Sequence, residues 1–141
     1  MDHCPKVLYR WPELAAADPA DPVFYVEGEK AADALAAVGY VAVCGPGGAS
    51  WWDVSLAPEF AGRKVVILPD HDLPGYSHAR TVAGTLFYAL PAAVRLVEWS
   101  DGDVPAGGDV YDFLAAAGPS RAEKRAAVAA LCKRFAAWKC A

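Results

Sequence analysis

Residues 65–75 read VVILPDHDLPG, an apolar run that ends in two acidic residues one position apart. A run of β-branched residues followed by turn formers predicts a buried strand. Asp70 and Asp72 follow that strand directly, and ligands of open α/β sheets bind beyond the carboxyl ends of strands. Because residues i and i+2 of an extended segment point the same way, both carboxylates can converge on a hard cation such as Mg²⁺. By the same alternation, His71 is expected to point away from them.

Two more acidic segments follow predicted strands. The apolar segment 23–26 runs into Glu27-Gly28 and then into a helix. After the strand at 94–98, the sequence GGDVYDFL at 107–114 opens another helix and contains Asp109 and Asp112. If the strands are parallel neighbours, these acids meet at one edge of the sheet. Three acidic strand ends in one small chain predict a divalent-metal centre.

Acids at strand ends also cap helices, and this is the structural alternative for part of the set. Asp72 is placed to cap the helix that begins near Pro74, and Asp109 the helix that begins at Val110. Capping needs one acid per helix. It therefore does not explain why Glu27, Asp70 and Asp72 occur together.

Strand and helix patterns alternate along the chain, which predicts an α/β fold with a mainly parallel sheet and helices on both faces. A short strand at 7–9 and a loop at 11–22 come first, and we divide the chain into segments 1–22, 23–119 and 120–141. The later strands are predicted at 23–26, 40–44, 64–68 and 94–98, and the helices near 30–38, 76–90, 110–117 and 121–139.

Composition supports a single domain of this kind. The chain has 141 residues, of which 55% are hydrophobic, and a net charge of −4 argues against broad affinity for nucleic acid. With no apolar run of membrane-spanning length and no signal segment, we expect a soluble, cytoplasmic protein that does not contact membranes. The cysteines show no Cys-x-x-Cys spacing, and we interpret all four as reduced thiols: Cys4, Cys44, Cys132 and Cys140.

The last helix begins with a capping-box pattern at 120–123 and carries an apolar stripe that should pack on the body. Its other face is basic. That face is either a contact surface for a phosphate backbone or a solvated face that complements the acidic body of the protein. The stripe contains Val128, Leu131, Phe135 and Trp138, and the basic residues are Arg121, Lys124, Arg125, Lys133, Arg134 and Lys139.

Two further segments have both a functional and a structural interpretation. The glycines Gly47 and Gly48 can bring backbone N–H groups close to a phosphate, or can simply form a tight turn. Trp51 and Trp52 can stack on a base, although we favour a place at the edge of the core.

Isolated polar residues near the acids are also ambiguous. Lys30, close to Glu27, can hold a phosphate or neutralise the acidic site. His78 and Arg80, on the helix after Gly75, are expected to face solvent, with phosphate contact as the alternative.

The order of the three acidic motifs resembles that of the TOPRIM domain of bacterial-type primases, topoisomerases and related nucleases. The likeness is closest to the TOPRIM segment of phage and plasmid primases and primase-helicases. There, Val-Glu-Gly-Glu-Lys, Pro-Asp-x-Asp-x-x-Gly and Asp-x-x-Asp-aromatic-Leu occur in this order, as at 26–30, 69–75 and 109–114 here. The resemblance covers roughly residues 7–117. One departure is Asp33, which lies six residues after Glu27 rather than the four seen in many TOPRIM proteins.

This resemblance implies a Rossmann-like TOPRIM fold and Mg²⁺- or Mn²⁺-assisted nucleotidyl transfer, as in the synthesis of an RNA primer on single-stranded DNA. The implied partners are the template, nucleoside triphosphates and an upstream primase subdomain or a helicase. The metal ligands that the resemblance implies are Asp70, Asp72, Asp109 and Asp112. The implied catalytic residues are Lys30 and Glu27, the latter as a general acid/base or a further metal ligand. The implied contacts to nucleotide or nucleic acid are Lys30, Gly47, Gly48 and Arg80.

Three alternatives remain at this point. A stand-alone TOPRIM nuclease would use the same acids, and a noncatalytic metal-binding interaction module would keep the fold without activity. A haloacid-dehalogenase-like phosphatase also has Asp-x-Asp after a strand, but the Thr expected two residues later is Pro74 here.

Overall fold

A computed structural model describes residues 6–47 and 52–134. Its centre is a four-stranded sheet in which every strand pair is parallel, as the alternating sequence pattern predicts. The order across the sheet is β2-β1-β3-β4. The strands are β1 (Val23–Val26), β2 (Val41–Val43), β3 (Lys64–Leu68) and β4 (Ala93–Leu96).

Helices cover both faces of the sheet, because alternate residues of each buried strand point to opposite sides. Phe24 and Val26 contribute to the core under α2, α4 and α5. Val23 and Tyr25 contribute to the core under α1, α3 and a 3₁₀ segment at Val54–Phe60. The helices are α1 (Trp11–Ala16), α2 (Glu29–Ala37), α3 (Leu73–Leu86), α4 (Val110–Ala116) and α5 (Arg121–Lys133), and a second 3₁₀ segment spans Phe87–Ala89.

The N-terminal region differs from its prediction. The expected loop at 11–22 contains α1, whose Pro12 sits in the first turn and whose Leu14 is 1% exposed. Proline is suited to that position and one buried leucine anchors the short helix, but a single apolar position gives no periodic signal. The expected strand at 7–9 is reduced to one antiparallel bridge between Tyr9 and Cys44.

The C-terminal helix packs on the body through its apolar stripe, as predicted for its described part. Val128 and Leu131 are buried, whereas Phe135 and Trp138 lie outside the described residues. Two of its arginines contact the body: Arg125 donates to the carbonyl of Val38 at 2.6 Å, and Arg134 binds Asp103. These contacts favour the interpretation of the basic face as a complement to the acidic body.

The described helices and cysteines bear on membrane crossing and on disulfide bonding. No helix among residues 6–47 and 52–134 has the length and apolar character needed to cross a membrane. Cys44 and Cys132 are free thiols, and the other two cysteines lie outside the described residues.

Candidate functional site

The register of the two central strands places the first two acids side by side. Val26 and Leu68 are partners across β1 and β3, so the chain leaves both strands at the same level of the sheet. The Glu27 side chain lies close enough to Asp70 for the Asp70 charge to raise the pKa of Glu27. Glu27 is only 6% exposed. Glu27 and Asp70 are therefore neighbours at the carboxyl edge of the sheet.

Two backbone hydrogen bonds bring the third acidic segment to this edge. His71 N–H donates to the carbonyl of Gly108 at 2.7 Å, and Gly107 N–H donates to the carbonyl of His71 at 2.8 Å. This pair joins the loop after β3 to the loop before α4. Asp109 is the next residue in the sequence, and its negative charge raises the pKa of Asp70.

The indole of Trp99 strengthens the same connection. Its Nε1–H donates to the carbonyl of Pro69 at 2.6 Å in a buried bond. The segment after β4 is thus tied to the end of β3 immediately before Asp70. Buried hydrogen bonds of this kind fix loop positions because breaking one leaves a desolvated carbonyl unpaired.

A close approach at Gly75 shapes the loop that carries Asp70 and Asp72. A Cβ atom at Gly75 would clash with the carbonyl oxygen of Asp70 and would lie 2.9 Å from Oδ1 of Asp72. Asp72 caps α3 by accepting a hydrogen bond from Gly75 N–H at 2.6 Å. Only glycine allows the first turn of α3 to lie this close to the loop.

Asp109 and Asp112 form a capping box at the start of α4. Asp109 Oδ1 accepts from the backbone of Tyr111 at 2.8 Å, and Asp112 Oδ2 accepts from Asp109 N–H at 3.0 Å. Capping and clustering therefore coexist in this protein. The caps engage one oxygen each of Asp72, Asp109 and Asp112.

Burial and mutual repulsion make the edge unfavourable for negative charge. Burial, together with the charge of Asp70, raises the pKa of Glu27 from 4.5 to about 7. Burial also raises the pKa of Asp70 and of Asp109, and neighbouring carboxylates add to both effects. Oε1 of Glu27 is buried and has no hydrogen-bond partner among residues 6–47 and 52–134. We refer to Glu27, Asp70, Asp72, Asp109 and Asp112 as the acidic edge.

The donor set of the acidic edge consists of carboxylate oxygens, which are the ligands of hard cations such as Mg²⁺ and Mn²⁺. The orphaned Oε1 of Glu27 also fits a missing positive partner. A complete site is nevertheless not assembled: within residues 6–47 and 52–134, no three His, Cys, Asp or Glu side chains are grouped so that they could hold a metal ion. The chemistry fits a metal, but the side chains would have to reorient around it.

Lys30 lies beside this edge without pairing to it. Its Nζ sits 3.9 Å from the centre of the Tyr111 ring, between the first turns of α2 and α4. In the described part of the chain, no ion pair includes Lys30 or a member of the acidic edge. Asp33 is engaged elsewhere, since it accepts from Tyr9 Oη at 2.8 Å and from Arg10 at 2.7 Å.

The remaining predicted contacts are not gathered at the acidic edge. Gly47 is exposed in a turn, and Gly48 lies outside the described residues. Arg80 is exposed on α3, where its charge acts on Tyr76. His71 points away from its acidic neighbours, as predicted, and its Nδ1 is 3.1 Å from the carbonyl of Val104.

The prediction that His78 faces solvent is wrong. His78 is 7% exposed, and its Nε2 is 3.0 Å from the hydroxyl of Tyr25. The core interpretation of Trp52 is confirmed: its ring packs edge-on against Tyr25 at 5.5 Å and contacts Phe60. Trp51 lies outside the described residues. Sequence reasoning missed this aromatic group because its members come from separate elements.

The comparisons add no relative. No protein-family model, no curated protein and no solved structure gives a significant match to the chain.

Proposed function

We propose that this chain is a TOPRIM-type nucleotidyl- or phosphoryl-transfer domain of a primase-like replication protein, dependent on Mg²⁺ or Mn²⁺. Its substrates are nucleoside triphosphates, and its template is single-stranded DNA. The observation that carries the proposal is the acidic edge, where Glu27, Asp70 and Asp109 lie together at the carboxyl edge of the parallel sheet and form no ion pair with a described cation. Sites of phosphoryl transfer depend on carboxylates that position metal ions in this way.

In this proposal Asp70, Asp72, Asp109 and Asp112 hold the metal. The bound ion supplies electrostatic stabilisation of the charge that develops on the phosphate groups. Asp70 lies next to Glu27, whereas the capping acids each offer the oxygen that their helix does not use. The side chains rotate to complete the ligand set in this proposal.

Glu27 is the general acid/base of the proposal. A carboxyl group with a pKa of about 7 exchanges a proton readily at neutral pH. Its Oε1, which lacks a partner, is the atom that takes or gives the proton. A bound cation would lower this pKa and favour the base form.

Lys30 supports the phosphates from the opposite side. Its Nζ is held by the Tyr111 ring at the first turn of α4, close to the capping box, and is not neutralised by an ion pair. An ammonium in that position can attract a triphosphate toward the acids.

The domain acts together with a basic partner surface. The acidic edge repels an anionic template, and α5 uses Arg125 and Arg134 to bind its own body. Template contacts therefore come from an upstream primase subdomain or a helicase in this proposal. The isolated chain is expected to bind metal without making primers.

Metal binding is tested first, by melting the chain in increasing MgCl₂ or MnCl₂. A dissociation constant of roughly 1 mM gives about 1.4 kcal/mol of stabilisation at 10 mM metal. Asp70→Asn should abolish the shift. Asp21→Asn, an exposed change before β1 at the far end of the sheet, should keep it. Equal shifts in both variants would reject the site.

Activity is tested by incubating the chain with single-stranded DNA, nucleotides and Mn²⁺, alone and joined to an upstream primase subdomain. We expect primers only from the joined protein and none with Glu27→Gln. Cleavage of the DNA that depends on Glu27 would instead identify a nuclease. Metal binding without either reaction would favour the interaction module, a reading consistent with the incompletely assembled ligand set.

A further inference from the structure

A cavity of about 380 Å³ opens along α3, next to the acidic edge but separate from it. It is lined by Trp52, Pro74, Ser77, His78 and Thr81. Cavities of a few hundred Å³ that combine aromatic walls with a few polar groups are typical of small-molecule sites. None of these residues belongs to the proposed metal or proton-transfer machinery.

The aromatic wall of the cavity is fixed in place. Trp52 donates its Nε1–H to Thr85 Oγ1 at 2.7 Å, which sets the orientation of the indole. Tyr25 meets the ring edge-on with centroids 5.5 Å apart, and Phe60 supports it at 6.4 Å. A rigid aromatic surface loses little entropy when a planar ligand packs against it.

His78 forms a hydrogen bond behind the wall and keeps a second ring nitrogen. Its Nε2 is 3.0 Å from the Tyr25 hydroxyl in a buried hydrogen bond. Burial lowers the pKa of His78 below its ordinary value of 6.5, and the ring is neutral at pH 7. The other ring nitrogen, Nδ1, is then a donor or an acceptor according to the tautomer.

The other polar groups of the cavity are hydroxyls. Thr81 Oγ1 donates to the carbonyl of Ser77 at 3.1 Å and so offers its lone pairs as acceptors. Ser77, one turn earlier, adds a hydroxyl that can donate or accept. The cavity thus combines an aromatic surface, one imidazole and two hydroxyls, which suits the ring nitrogens, carbonyls and sugar hydroxyls of a nucleoside.

The cavity also lies in the right place for a nucleotide bound at the acidic edge. Pro74, at its near end, is two residues after Asp72 in the first turn of α3. A ligand along the N-terminal half of α3 would therefore have one end at the carboxylates and the other at Trp52.

We propose that this cavity binds the nucleoside part of the nucleoside triphosphate, while the acidic edge holds its metal-bound phosphates. The assignment of the phosphates rests on the proposed function, but the nucleoside site does not need the metal. The two parts of the proposal can therefore be tested separately.

The test is calorimetric titration with three probes, namely ATP with Mg²⁺, adenosine without metal, and tripolyphosphate with Mg²⁺. Ser77→Phe places a ring at an exposed position that lines the cavity, and should weaken adenosine and ATP binding about tenfold or more while leaving tripolyphosphate unchanged. Ala130→Phe, an exposed α5 position on the other face of the sheet, is the matched control and should bind all three probes normally.

Asp70→Asn separates the two sites. It should weaken Mg²⁺-dependent binding of ATP and tripolyphosphate but leave adenosine binding unchanged. If the metal site is absent but the nucleoside site exists, adenosine still binds the wild-type chain, and Ser77→Phe weakens that binding. If adenosine does not bind the wild-type chain, or binds Ser77→Phe equally well, the nucleoside site is overturned whatever the metal does.

An NMR titration of the unmodified chain tests the nucleoside site even if Ser77→Phe fails to fold. Adenosine should shift the NMR signals of the Trp52 indole N–H and of the Ser77 and Thr81 amides more than those of α5. Shifts spread evenly over the protein would also overturn the proposal.

Discussion

The carboxylates of this protein form two groups that differ in what lies opposite them. Asp103 forms a bidentate ion pair with Arg134, which donates to both carboxylate oxygens. This pairing lowers the pKa of Asp103 to about 2. Hydrogen bonds from Ser55, with Lys6 nearby, also lower the pKa of Asp53 to about 2. At the acidic edge the direction is reversed, and the pKa values of Glu27, Asp70 and Asp109 are raised.

This contrast separates the carboxylates that are paired within the chain from those that are not. The paired acids stabilise the fold with the chain's own cations and backbone donors. The acidic edge keeps partly buried carboxylates together without an ion pair to any described residue, an arrangement that opposes folding and is common where a ligand supplies the missing charge. The predictions below test the contrast, from the largest expected effect to the smallest.

Glu27→Gln should stabilise the metal-free protein at pH 8 by about 2 to 3 kcal/mol, because it removes a carboxylate whose pKa is raised from 4.5 to about 7. Below pH 4.5, Glu27 is protonated in both folded and unfolded chains, and the difference disappears. Between pH 4.5 and 7 only the folded chain keeps the proton, so wild-type stability falls as the pH rises. Urea unfolding at pH 4, 6 and 8 measures this.

Glu98→Gln is the matched control for that series, since Glu98 is an exposed glutamate that also follows a strand. It should show no comparable dependence on pH. Equal behaviour of the two variants would contradict the idea that Glu27 is strained by its acidic surroundings.

Gly75→Ala should destabilise the fold by about 2 kcal/mol, because the added methyl group meets the Asp70 carbonyl and Asp72 Oδ1. It should also weaken Mg²⁺ binding, since the loop of the acidic edge must move. Gly84→Ala adds the same methyl group to α3 where nothing lies within 4 Å, and should stabilise by about 0.5 to 1 kcal/mol. Thermal melts with and without Mg²⁺ compare them, and similar losses would reject the close approach.

Asp103→Asn should destabilise the protein by about 1 kcal/mol at neutral pH, because it removes the charge that accepts from Arg134. Its pH dependence should have the opposite sign to that of Glu27. The folded pKa of about 2 lies below the ordinary 3.8, so the stabilisation is present above pH 3.8 and is lost as the pH falls through 2. Acid titration of stability checks this, and a difference that grows toward pH 2 would contradict it.

Asp53→Asn should have the smallest effect, a slight fall in melting temperature. Lys6 is largely exposed, with 57% of its side-chain surface accessible, so salt screens its attraction to Asp53. The fall should shrink further in 0.5 M KCl. A salt-independent loss would show that the backbone bond from Ser55 carries most of the effect.

Much of this arrangement is predictable from local sequence, and the rest depends on distant contacts. The runs before Glu27 and Asp70 predict strands because they are apolar, short and bounded by turn formers. The position of Asp109 needs the backbone bonds between His71 and the glycines before α4, which no periodicity shows. The burial of His78 depends on Tyr25, 53 residues away, and so its helix pattern alone suggests an exposed side chain.

The joint between His71 and the Gly107-Gly108 turn also has an evolutionary consequence. Its two bonds use main-chain atoms, so proline at position 71 is excluded for lack of an N–H, and the His71 ring adds a contact to the carbonyl of Val104 in the same loop. The turn is restricted as well, because Gly107 has a φ of +77° and a Cβ at Gly108 would lie 2.9 Å from the carbonyl oxygen of Pro105. Among homologues, the two glycines that precede Asp109 should therefore vary little.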